Sequence, residues 1–273
     1  MNKVIDLRSM RQAVLAVFVA LLAGTAAAQT TATQQKPFEP AVGQAGKDVV
    51  WVPTPQALVD KMLDMAKVTP ADVVMDLGSG DGRTVITAAK RGATARGIEY
   101  DPDMVELSKR NAAAAGVQEK ATFVKADLFE TDLSQATVIT MFLLQRINVE
   151  LRPKLLDLKP GTRIVSNTFT MDDWQADETA RVEEGCETWC NALMWIVPAK
   201  AAGTWKLAQG DLNLTQQFQM VSGTLGSTAI ADGRLLGDAI AFTVGDVRYE
   251  GHVNGDSMQG TAGGKTWTAR RQR

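Results

Sequence analysis

An apolar run that ends in an acid and then breaks into alternating glycines leaves a chain few ways to fold. This chain has one at Val73-Val74-Met75-Asp76-Leu77-Gly78-Ser79-Gly80-Asp81-Gly82. The run Val73–Leu77 reads as a buried strand, and a helical pattern follows at once from Arg83 to Arg91. The glycines therefore fill a tight strand-to-helix turn. They let the backbone reverse sharply and lie against a bulky group. The first N–H groups of the helix and the positive end of its dipole face the same point. The stretch predicts a ligand-binding turn.

The rest of the chain extends this unit in both directions. Upstream, Thr54 is suited to cap a helix over Gln56–Lys67, with Pro55 in its first turn. Downstream, strands are expected over 93–100, 122–125, 136–143 and 163–166, and helices from Asp101-Pro102 to Gly116 and over 148–158. Such alternation means a parallel sheet with helices on both faces. Ligands of these sheets bind at the carboxyl ends of the strands. Three of those ends carry acids, Asp76, Glu99 and Asp127. A further strand over 192–197 is expected to close the sheet antiparallel.

From residue 203 the pattern changes. Leu212, Leu214, Phe218 and Met220 alternate with polar residues, and turn signals recur at Asp232-Gly233, Gly245-Asp246, Asn254-Gly255 and Gly263-Gly264. This predicts a small all-β antiparallel domain, a meander or barrel, over 203–273. Trp205, Tyr249 and Trp267 fit its core better than a binding surface.

The N-terminus reads as a targeting segment. Lys3, Arg8 and Arg11 precede an apolar run from Ala13 to Ala23, and Ala26-Ala27-Ala28 precedes Gln29. This is the pattern of a secretory signal over 1–28, with an uncleaved membrane anchor as the alternative. Residues 29–48 then read as a linker, and the location expected is the periplasm or cell envelope. In an oxidising compartment Cys186 and Cys190 suit a local disulfide; otherwise they are free thiols. A single histidine, His252, argues against a multi-histidine metal site or a Ser-His-Asp triad. A net charge of −2 gives no electrostatic basis for binding nucleic acid.

The glycine spacing separates two nucleotide chemistries. A dinucleotide site wants G-x-G-x-x-G and a second mononucleotide half. Here the spacing is Gly78-x-Gly80-x-Gly82 and the chain turns antiparallel, which favours one nucleoside without a pyrophosphate. The segment Asp76–Gly82 resembles the first motif of class I S-adenosylmethionine-dependent methyltransferases. Glu99 then matches the acid that this family places on the ribose hydroxyls, and Asp127-Leu128 the position at the adenine edge. The resemblance implies the Rossmann-like methyltransferase fold over 49–200. It implies S-adenosylmethionine as cofactor and Asp76, Gly78, Ser79, Gly80, Asp81, Glu99, Asp127 and Leu128 as its binding residues. Asp76 would orient the ammonium group. Asp81 either faces the ligand or caps the following helix.

A narrower resemblance runs from Val52-Pro53-Thr54-Pro55 through Val138–Leu143 to Ser166-Asn167-Thr168-Phe169 and Trp174. It is similar to the small lysine methyltransferases that act on the ATP synthase c-subunit and the adenine nucleotide translocase. That implies a protein lysine as methyl acceptor, with a small molecule as the alternative, or a non-catalytic binding protein that keeps the fold. The target amine would enter between Val52–Thr54 and the end of the fourth strand. Trp51, Thr54 and Phe142 are candidate lining residues, although plain core packing suits Phe142 better. No residue stands out as a catalytic base. The C-terminal module is expected to help dock the acceptor.

Overall fold

The computed structural model describes residues 38–272. The expected leader, 1–28, and the linker as far as residue 37 lie outside the described residues. A seven-stranded sheet is built from β1 (Val73–Leu77), β2 (Thr94–Glu99), β3 (Ala121–Lys125), β4 (Val138–Met141), β5 (Arg163–Asn167), β6 (Glu178–Arg181) and β7 (Asn191–Ile196). Their order is β3-β2-β1-β4-β5-β7-β6. The first five strands are parallel, and β7 joins β5 antiparallel, as expected. Strand β6 was not foreseen. Its residues are largely exposed at the sheet edge and carry no apolar alternation.

Apolar faces decide the layering. Helices α1 (Gln56–Met65), α2 (Arg83–Lys90) and α3 (Pro102–Ala114) bury Leu58, Leu63, Val85, Ile86 and Val105 against one face. Helix α4 (Gln145–Leu156) buries Ile147, Leu151 and Leu155 against the other, beside Trp174 and Trp195. The sheet order reverses between β1 and β4, so their carboxyl ends flank the switch point where such sheets bind ligands.

Several local expectations change. Asp101 caps α3 as foreseen, accepting from the Asp103 N–H at 2.8 Å, with Pro102 in the first turn. Thr54 does not cap α1. Pro55 stands at that position, and the Thr54 hydroxyl accepts instead from Asn167 Nδ2 at 3.3 Å. Helix α4 begins at Gln145, three residues earlier than its apolar pattern suggested. The end of the expected linker is folded: Trp51 N–H donates to the Gln44 carbonyl at 2.8 Å and Gly43 N–H to the Trp51 carbonyl at 2.9 Å, forming a hairpin.

The C-terminal strands close into a barrel. They are β8 (Gly203–Leu207), β9 (Gly210–Gln217), β10 (Met220–Leu225), β11 (Thr228–Leu236), β12 (Ala239–Val244), β13 (Val247–Asn254), β14 (Ser257–Ala262) and β15 (Lys265–Arg271). Trp205, Phe242, Tyr249 and Trp267 fill the core. The Phe242 and Tyr249 rings stack at 5.0 Å. Asp232-Gly233 is not a turn but a bulge inside β11, where the register shifts between Ala231 and Arg234. An added Cβ at Gly233 would stand 2.2 Å from the Val221 carbonyl, so the close backbone requires the glycine.

The barrel packs on the amino-end side of the sheet. Ala199 N–H donates to the Gly237 carbonyl at 2.8 Å, and Gly237 lies against Gly161 just before β5. Phe218 stacks on Trp174 at 5.8 Å, and Arg234 pairs with the buried Asp177 at 2.6 Å.

Candidate functional site

All eleven ligand- and acceptor-facing residues singled out in the sequence line one cavity of about 580 Å3 at the carboxyl ends of β1, β2 and β4. No residue from β8 to β15 reaches it. The expectation that the C-terminal module helps to dock the acceptor at this site therefore finds no contact to rest on.

The glycine turn is braced from every side. Gly78, Gly80 and Gly82 all have positive φ. A Cβ added to Gly80 would stand 2.6 Å from Trp51 Nε1, so backbone conformation and space both exclude a side chain there. Glu99 Oε2 accepts from the Gly80 N–H at 2.9 Å, while Oε1 accepts from the N–H groups of Tyr100 and Asp101. Ser108 Oγ donates to the Gly80 carbonyl at 2.7 Å, and Asn111 Nδ2 to the Asp81 carbonyl at 2.9 Å. Glu99 thus shapes the turn as well as facing the cavity, a double duty invisible in its spacing alone.

Asp81 lies half-buried in the cavity wall and pairs with Arg83 at 2.6 Å. Arg83 in turn donates to the Thr54 carbonyl at 2.9 Å. Sequence reasoning passed over this arginine, which ties the start of α2 to the segment preceding α1. Asp127 accepts from the Phe129 N–H at 2.9 Å and from Lys47 Nζ at 2.7 Å. Lys47 also lies 4.9 Å from the centre of the Tyr100 ring, so the hairpin over 43–51 closes onto this end of the cavity. The contacts with Lys47 and the Phe129 N–H hold Asp127 below the usual carboxylate range.

Asp76 behaves differently. It is 6% exposed and receives one hydrogen bond, from Thr140 Oγ1 at 2.6 Å. Burial pushes its pKa up to about 7. The Thr140 bond works against that rise, and the charges of Glu99 and Asp81 add to it. Ser79 Oγ is also buried without a hydrogen-bond partner, packed against Gly97 and Phe123. An under-satisfied carboxylate at a cavity wall is the mark of a group kept for a ligand.

The opposite side of the cavity is aromatic. Phe142 lies 6.1 Å from Phe169, and Trp189 lies 5.4 Å from Phe169 and 6.1 Å from Phe142. Phe142 is half-buried and lines the cavity as well as packing on these rings. Phe169 and Trp189 were missed. Phe169 stood within a recognised motif without an assigned role, and Trp189 lies between the cysteines of a loop that carries no ligand signature. Cys186 and Cys190 are joined by a disulfide.

Residues 76–178 match the family model described as the ANTKMT methyltransferase domain. A protein-lysine N-methyltransferase of Saccharolobus islandicus (strain REY15A) is 46% identical over 140 residues, spanning 50% of this chain and 87% of that protein. The lysine N-methyltransferase of the ATP synthase c-subunit from Mus musculus is 34% identical over 139 residues, spanning 50% of this chain and 55% of that protein. The chain thus covers little more than half of the mouse enzyme. Among solved structures, an RNA methyltransferase from Salinibacter ruber in complex with S-adenosyl-L-homocysteine is 46% identical. It aligns with a TM-score of 0.52 over 55% of this chain and 95% of that one.

Proposed function

The chain belongs to the S-adenosylmethionine-dependent methyltransferase family of the ANTKMT type, and on that premise we propose that it methylates lysine side chains of a protein acceptor in the cell envelope. The observation that carries the acceptor class is the charge of the cavity. Asp48, Asp81, Glu99, Asp101 and Asp127 line it against Lys47 and Arg83, and both cations are already paired with carboxylates of that set. Such a wall attracts a cationic amine and repels the phosphates of a nucleic acid.

The residues fit the cofactor. S-adenosylmethionine carries an ammonium group, ribose hydroxyls and an adenine amino group, and the cavity offers Asp76, Glu99 and Asp127 at three successive strand ends. In this assignment Asp76 takes the ammonium, Glu99 the ribose hydroxyls and Asp127-Leu128 the adenine edge. Bound S-adenosylmethionine would supply a methyl group on a positively charged sulfur; the lysine ammonium gives up its proton to water, and the neutral amine then attacks the methyl in line, leaving S-adenosylhomocysteine. The protein's part is to orient the two reactants and shield them from water. Val52–Thr54 and Phe142 bound the acceptor side of the cavity.

Export is supported by the charged, apolar and A-x-A segments over 1–28 and by the disulfide, which persists in oxidising compartments. Two measurements test the proposal. The full chain is incubated with methyl-labelled S-adenosylmethionine and a cell-envelope extract, and the labelled protein is hydrolysed. Label recovered as methyllysine supports the lysine assignment, and label in another product removes it. Fractionation and N-terminal sequencing of the natural protein test export. A start at Gln29 in the periplasmic fraction agrees with it, and an intact leader in the cytoplasm refutes it.

A further inference from the structure

The loop between β6 and β7 stands apart from the rest of the cavity. Residues 183–189 are largely exposed, yet Trp189 brings its ring onto Phe142 and Phe169. Its φ is +58°, a left-handed backbone that a tryptophan adopts only when its surroundings impose it. The surroundings here are few. The disulfide ties Cys186 to Cys190, and Cys190 is buried at the start of β7, where its carbonyl accepts from the Val182 N–H at 2.9 Å. Trp189 is nevertheless 44% exposed, its ring tilted against both phenylalanines and lining the cavity.

The two phenylalanines are fixed by the fold itself. Phe142 follows β4 directly. The Phe169 carbonyl accepts from Ser166 Oγ at 2.8 Å and from Asn148 Nδ2 at 3.1 Å. The third ring is held by a staple, in a loop beyond residue 178, where the family match ends.

We propose that the Cys186–Cys190 loop is the acceptor-side wall of the cavity: the disulfide holds Trp189 against Phe142 and Phe169, and the three rings bind the alkyl stem and cationic head of an alkylammonium acceptor. This rests on the lysine reading above and adds to it the residue that selects the acceptor and the covalent bond on which selection depends. Ring faces suit a methylene stem through contact and a cation through their quadrupoles. The excess of acidic over basic residues lining the same cavity favours a cationic head. Trp189 acts here by positioning the acceptor.

The test uses the full oxidised chain saturated with S-adenosylhomocysteine. It is titrated with Nα-acetyl-trimethyllysine amide, followed by tryptophan fluorescence and by calorimetry. Saturable binding is expected. It weakens by about tenfold or more in Trp189→Ala and in the Cys186→Ser/Cys190→Ser double variant, and Trp189→Phe recovers most of it. The affinity of all variants for S-adenosylhomocysteine stays within about twofold, which excludes a general loss of fold. Reductant weakens probe binding by the native chain and leaves the double variant unchanged. Equal probe binding in all variants, or none by the native chain, overturns the wall. The lysine reading fails separately: probe binding that depends on Trp189, without methylation of any lysine peptide, removes that reading and leaves the wall standing.

Discussion

Asp72 lies just before β1 and Asp76 near its last residue, and the two carboxylates meet opposite surroundings. Burial opposes the charge of Asp72, but hydrogen bonds from Thr137, the Thr69 N–H, Arg163 and the Thr69 hydroxyl outweigh it and hold its pKa below the usual value. Asp76 has the Thr140 hydroxyl as its hydrogen-bond donor, and burial carries it up to about 7. At the amino end of the strand the polar groups are spent on the protein, and the barrel docks on the same side. At the carboxyl end they are held back. The fold is secured at one edge of its sheet so that the other can remain incomplete until a ligand arrives.

The two ends respond to pH with opposite signs. Asp72, with its lowered pKa, contributes stability that is present above the ordinary carboxylate range and is lost as pH falls through its folded value. Asp76, with its raised pKa, favours the ligand-free fold while protonated. That contribution is lost as pH rises from the ordinary 3.8 through about 7.

Substitutions at each end test this division. The largest effect is expected for Asp72→Ala, which leaves the partly buried Arg163 without its carboxylate. Urea unfolding should show a loss of about 3 kcal/mol, with affinity of the folded chain for S-adenosylhomocysteine unchanged. A matching loss of affinity would mean that the two edges are not separate. Asp76→Asn should do the reverse. The ligand-free chain at about pH 8 remains at least as stable as the native one, because a buried charge has gone. Affinity for S-adenosylmethionine falls by about 1.5–3 kcal/mol, the loss of hydrogen bonding to a charged group. Instability with intact affinity would reverse the assignment. The smallest effect belongs to Arg234→Ala at the barrel contact. Arg234 is half exposed and Asp177 keeps the Ile196 N–H as donor, so melting should shift by about 1 kcal/mol or less, with methyl transfer unaltered.

Much of the architecture was legible in the chain because it is written locally. The glycine turn, the acids at three strand ends and the alternation of Leu212 and Leu214 with polar neighbours each state their structure within a few residues. Contacts made across long distances were not legible. Lys47 meets Asp127 eighty positions away, and nothing around it distinguishes it from a linker lysine. Trp189 is brought to Phe142 by a disulfide whose partners sequence could only pair as an alternative. Asp232-Gly233 misled because a bulge and a turn ask for the same dipeptide, and only the position of β10 decides between them. Glu178–Arg181 gave no signal because an exposed edge strand needs no apolar face.

Below about pH 7 Asp76 stands protonated and under-satisfied, ready to ionise for a cationic group of the cofactor. The most direct test is calorimetric titration of the full chain with S-adenosylmethionine between about pH 5 and about pH 7, in paired buffers of different ionisation enthalpy. Binding is predicted to tighten as pH rises across that range and to release protons at its acidic end. Both effects should vanish in Asp76→Asn. Affinity that is flat with pH and free of proton release, in a chain that binds the cofactor, would mean that Asp76 does not meet the ammonium group.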